Sequence, residues 1–277
     1  MCAVPGTRLS QNPNKAGALS NSCAEPEKEG HRIFDESVWR EIKSAGNLFD
    51  EKYPSDGIEE VLHQFFDPAR LKDALTEVLI TSYEIERRIP WFFRSSRAKT
   101  RPDYDFEMWQ VARSTSAAPT YFEPEKIPFG NGTDFWALID GGVFANNPAM
   151  CAFAEVRSRS KDGDILLASL GTGELSVLHP IHFDQAKNWG LIGWAKPILD
   201  VVFDGVSKTI DYQLRQLLPL VNNAARYYRF QPRLDIGSGE LDNTNPENLR
   251  DLRLLAERLI ASRTKEIDDL CAQLTQP

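Results

Sequence analysis

The chain has 277 residues, enough for one large domain or two small ones. Its 42% hydrophobic and 26% charged residues are ordinary for a soluble globular protein. A formal net charge of −8 argues against a nucleic-acid binder, which needs a basic face to displace counterions.

Residues 1–30 lack the apolar stretch of a secretory signal. They are rich in Gly, Pro, Asn, Ser and Ala, without apolar periodicity, and read as a disordered leader. From His31 the pattern becomes globular. Residues 35–45 carry a short helical pattern around Val38, Trp39 and Ile42, and residues 57–66 another, with Ile58, Val61, Leu62, Phe65 and Phe66 on one stripe. Glu77 to Ile85 reads as a strand, Pro90 to Phe93 as its hairpin partner, and Arg87-Arg88 as the solvated turn between them. A helix is expected over 105–116, ending before Pro119.

Phe135 to Ile139 is a short apolar run that ends in Asp140-Gly141-Gly142. Asn147 and Pro148 then make a helix start, as N-cap and first helical residue. Asp164 to Leu170 is a further buried strand, closed by Gly171-Thr172-Gly173. The most apolar stretch, 191–203, is interrupted by Lys196, Pro197 and Asp200, and falls short of the ~20 apolar residues of a membrane span. Asn245 and Pro246 open a long helix to about Leu274. Strands alternating with helices favour a layered α/β fold, in which ligands bind at the carboxyl ends of the strands. Asp140 stands at such an end. The cysteines, Cys2, Cys23, Cys151 and Cys271, are scattered without a Cys-x-x-Cys pair and read as free thiols in a reducing, cytoplasmic setting.

Asp-Gly-Gly alone would be a tight turn. Its context is more specific. The block Ala112 to Phe122, with Ser116-Ala117-Ala118-Pro119 inside it, precedes the block Leu138 to Pro148, with Asp140-Gly141-Gly142 and Asn146-Asn147-Pro148. Together they resemble the second half of the patatin-like phospholipase domain. Leu170 to Gly173 resembles the family's Ser-Leu-Gly-Thr-Gly strand end, and the runs 211–215 and 227–230 resemble its bacterial members. The resemblance runs from about His31 to the C-terminus. It implies a three-layer α/β fold with a central, mostly parallel sheet flanked by helices, here lacking the N-terminal strand and the nucleophile elbow. The expected organisation is a leader over 1–30 outside the family, then a partial family domain over 31–277 with a C-terminal helical extension.

The resemblance further implies hydrolysis of lipid acyl esters by a Ser-Asp dyad. Asp140 would be the base, Gly141 and Gly142 would shape its loop, and neither metal nor cofactor is implied. The expected partner is a lipid or phospholipid ester, met through peripheral contact with a membrane. The family's serine lies in Gly-x-Ser-x-Gly, on a strand-to-helix elbow. None of the 17 glycines here has another four positions on, so the motif is absent, as is the glycine-rich oxyanion loop. Ser20 and Ser22 have the right place in chain order but no elbow glycines, and Ser114 and Ser116 read as packing hydroxyls. Three readings stay open: an incomplete or misread frame of an active hydrolase, a non-catalytic protein that binds lipid or a partner, and a dyad completed by a separate fragment.

Elsewhere, Gly171-Thr172-Gly173 lacks the Gly-x-Gly-x-x-Gly and Walker patterns of phosphate loops, and His179 and His182 have no ligand companions for a metal. Trp189 to Trp194 suits core packing, with lipid contact as the alternative.

Overall fold

The computed structural model describes residues 2–4, 26–34, 53–129, 132–174, 180–194 and 197–275. The helix predicted over 35–45, Ser20, Ser22 and His179 lie outside them. The chain divides into two compact units, Met1–Pro148 and Ala149–Pro277.

In the first unit the elements are β1 (Cys2–Val4), α1 (Pro26–Ile33), α2 (Ser55–Phe66), β2 (Glu77–Glu84), β3 (Ile89–Arg94), α3 (Met108–Thr115), β4 (Glu125–Phe129) and β5 (Asp134–Asp140). Strand order is β1-β2-β5-β4, with β3 also on β2. Every pairing in this sheet is antiparallel. This corrects the expectation of a mostly parallel sheet. The cause is the shortness of the connections: β2 and β3, like β4 and β5, are separated by four residues, and only a hairpin spans so little chain. The residue at the first tip, Arg88, takes φ 55°, the left-handed conformation such turns require. Arg87 is exposed in the turn, as expected. It pairs with the fully buried Glu84 carboxylate and lies 4.6 Å over the Trp136 ring. A buried carboxylate needs such partners, and the Ala137 N–H supplies another at 3.3 Å.

One sheet face packs Ile80, Trp91, Phe93, Ile127 and Leu138 against Val111 of α3. A second cluster joins Tyr53, Ile58 and Phe122. Ordered structure also occurs within the expected leader: β1 pairs with residues 77–79 of β2, and α1 starts at Pro26 with proline at its first position.

The second unit contains α4 (Ala149–Arg159), β6 (Leu167–Leu170), α5 (Pro197–Leu217), β7 (Tyr227–Phe230), α6 (Pro246–Ser262) and α7 (Thr264–Leu274). Here β6 and β7 are parallel, with α5 in the long crossover that parallel pairing needs. Asn245 caps α6 as predicted, accepting the Glu247 N–H at 2.9 Å. The single helix expected to reach Leu274 is broken at Arg263. Ser262 and Thr264 turn their hydroxyls back to the Leu259 and Ile260 carbonyls, each at 3.0 Å, competing with the helical ladder.

Candidate active site

The site is built where β5 ends. Asp140, its last residue, sits opposite Ser82 of β2, and directly opposed residues on antiparallel strands share a face. The Asp140 N–H donates to the Ala117 carbonyl at 3.0 Å. Ser82, fully buried, donates its hydroxyl to the Ile139 carbonyl at 2.6 Å. Thr115 at the end of α3 donates to the Thr81 carbonyl at 2.7 Å. The Ser116-Ala117-Ala118 segment is therefore tied to the strand end by backbone and hydroxyl bonds.

The side chain of Asp140 accepts one hydrogen bond, from the Gly142 N–H to Oδ1 at 2.7 Å. Among the described residues no cation pairs with it. Burial pushes its carboxyl above the usual aspartate range, and the Gly142 N–H offsets only part of that. A carboxyl so held is a better proton acceptor than one in water.

Gly141 is required by close approach, and Gly142 is tightly placed. A Cβ at Gly141 would stand 2.4 Å from the Thr81 carbonyl carbon, its oxygen and its Oγ1. A Cβ at Gly142 would stand 3.1 Å from Asp140 Oδ1, against the carboxylate itself. The chain then enters a short helical turn, Gly142–Ala145.

The other serines near this segment are occupied. Ser114 donates to Gln110 O at 2.8 Å and Ser116 to Ala112 O at 2.7 Å, both within their own helix. Thr81 and Ser82 escaped the sequence reading, which named Ala117 only within the Ser-Ala-Ala-Pro segment and not as a partner of Asp140. Two consecutive hydroxyls after the apolar run Val78-Leu79-Ile80 were the available signal for Thr81 and Ser82, while Ala117 acts through its backbone carbonyl.

An open cavity of about 610 Å³ lies elsewhere in this unit, lined by Arg32, Asp56, Glu59, Glu60 and His63. No residue around Asp140 lines it, and its charged walls do not suit an acyl chain. Among the described residues no group of three His, Cys, Asp or Glu is placed to hold a metal ion. His182 is exposed just before the turn Phe183–Ala186. Trp189 and Trp194 pack edge to face, centroids 5.2 Å apart, and between them Leu191 is 90% exposed, so this stretch is not core in the way expected.

Residues 16–153 match the description "Patatin-like phospholipase". Through this region the chain is similar to the patatin-like phospholipase family. The matched region opens at residue 16, ahead of His31, and includes Asp140, Gly141 and Gly142. "Patatin-like protein 2" of Arabidopsis thaliana is 29% identical over 87% of this chain and 69% of its own length. "Patatin-08" of Solanum tuberosum is 30% identical over 78% of this chain and 61% of its own. "Probable inactive patatin-3-Kuras 1", from the same plant, is 28% identical over 86% and 66%. Among these patatin-like relatives and others that it matches, the chain spans 56% to 69% of their length.

Proposed function

We propose that this chain carries the aspartate half of a patatin-type lipid acyl hydrolase. In this reading a serine hydroxyl attacks the ester carbonyl of a lipid. Asp140 accepts the serine proton as the bond forms, then returns it to the leaving alcohol. The dyad is a reduced relative of the three-residue arrangement, with no histidine between base and nucleophile. The observation that carries the reading is the state of Asp140: half-buried, without an ion-pair partner among the described residues, and raised by burial above the usual carboxylate range. A structural aspartate would instead be paired or exposed.

The nucleophile is proposed to come from outside these 277 residues, since no Gly-x-Ser-x-Gly occurs among them. The chain alone is then the non-turning part of a hydrolase. A wholly non-catalytic role in binding lipid or a partner is the second reading, and the same missing motif favours it. The runs 211–215 and 227–230 support a bacterial-type member. A cytoplasmic protein meeting membranes peripherally fits both readings. Among the described residues no helix is long and apolar enough to cross a membrane.

The test is p-nitrophenyl acyl ester hydrolysis. The chain alone is expected to give no turnover that depends on Asp140. Joined to an elbow-bearing front segment from the potato relative, it is expected to gain turnover that Asp140→Asn removes. Turnover unaffected by Asp140→Asn would end the dyad reading.

A further inference from the structure

We propose that the second unit holds an oxyanion site centred on Arg229, at the carboxyl end of the parallel pair β6 and β7, suited to a single phosphate-class group. The inference is independent of Asp140.

A partly buried guanidinium ordinarily sits against a carboxylate, because an unpaired charge is costly to withdraw from water. Three arginines of this unit follow that rule, while Arg157 is held by the Lys161 and Gly163 carbonyls. Arg226 pairs with Asp164 at 2.8 Å, Arg215 with Asp211 at 3.0 Å and Arg263 with Glu266 at 2.6 Å. Arg229 does not. Its acceptors are Ser169 Oγ at 2.8 Å, Gln231 Oε1 at 3.2 Å and Ser207 Oγ at 3.4 Å, all neutral. No ion pair of Arg229 occurs among the described residues.

Neighbouring carboxylates are engaged elsewhere. Asp211 holds the Tyr227 hydroxyl at 2.9 Å as well as Arg215, and Glu174 and Asp204 both hold Lys208 at 2.7 Å. A guanidinium has five N–H donors, and three bonds are made here. Nε makes none of these bonds and is not among the buried unpaired atoms, so its N–H faces water that an anion can replace. The Ser207 hydroxyl, accepting from Arg229, has no acceptor of its own among the described residues.

The absence of a side chain at Gly171 lets Gln231 and Arg229 pack against the strand end. A Cβ at Gly171 would meet Gln231 Oε1 at 1.4 Å and Arg229 Nη2 at 2.7 Å, so a side chain there would displace the groups around the guanidinium. Gly173 takes φ +138°, which disfavours other residues. The carboxyl end of parallel strands is where α/β sheets gather ligands, and a fixed guanidinium fork matches the oxygens of phosphate.

The test uses the full chain and inorganic phosphate, titrated calorimetrically at ionic strength held constant with sodium chloride. Saturable binding is expected. Gln231→Glu, which sets a carboxylate on Arg229 without removing it, is expected to weaken binding at least tenfold, as is Arg229→Gln. Should Arg229→Gln fail to fold, Gln231→Glu decides. Glycerol phosphate and phosphatidic acid vesicles, with phosphatidylcholine vesicles as control, separate a soluble ester from a lipid headgroup, and binding of either supports the site. Heats no larger than those of chloride, or phosphate binding unchanged in Gln231→Glu, would overturn it.

Discussion

The chemistry of Asp140 depends on two residues that have no side chain. At Gly141 even a methyl group would enter the backbone of Thr81, which Thr115 holds in place from the other side. We expect Gly141→Ala to cost about 3 kcal/mol in denaturant unfolding, the upper range for overpacking, because the clash is with backbone rather than with a flexible tip. Asp140 itself opposes stability at neutral pH. Its folded pKa is raised, so the folded state binds its proton more tightly than the unfolded chain does. Stability from this group is therefore greatest below its unfolded value and declines as pH rises through the folded one. Asp140→Asn keeps an oxygen for the Gly142 N–H and removes the charge. Unfolding midpoints measured across that window should show the variant gaining on the parent as pH rises. The aspartate and its glycines were legible in the sequence because the motif is compact. The hydroxyls of Thr81, Ser82 and Thr115 were not, since what they do is set by which strand lies opposite.

At the scale of elements, α3 is fixed by one buried charge. Arg113 is 1% exposed, reaches Glu123 O at 3.1 Å and lies 3.5 Å from Glu59 of α2. Glu125 nearby is raised by burial, an effect that Arg113 partly offsets. Removing the cation would leave that acidic group uncompensated. Arg113→Ala should destabilise the fold by about 3–5 kcal/mol, and thermal melts will show whether it does. Where α3 leads toward β4, Thr120 holds φ 76°, a left-handed conformation that a β-branched residue resists. Thr120→Gly is expected to stabilise by about 1 kcal/mol, after the entropy cost of glycine is subtracted. Helix and strand periodicity located α2, β2, β3 and α3 to within a few residues. The β2–β3 hairpin was legible in its four-residue turn, whereas the mostly parallel sheet was an expectation of the family resemblance that the antiparallel β2–β5 and β4–β5 pairings do not meet. The break at Arg263 followed from hydroxyls that a periodic leucine pattern does not report.

At the scale of the molecule, the chain joins an antiparallel unit that carries Asp140 to a second unit with a parallel strand pair. The alternation of strands and helices showed that the fold is α/β; it did not show the division between Pro148 and Ala149. Large apolar side chains stand in water in the second unit, Leu191, Phe183 and Leu170 among them. Sedimentation should therefore show self-association that Leu191→Asp and Phe183→Asp reduce. Whether Asp140 is poised to take a proton decides its proposed role. The most direct measurement is a carbon NMR titration of its side-chain carboxyl in the folded chain. We predict a midpoint clearly above the ordinary aspartate value of about 3.9. A midpoint at or below that value would mean a structural carboxylate, and would contradict the proposed role.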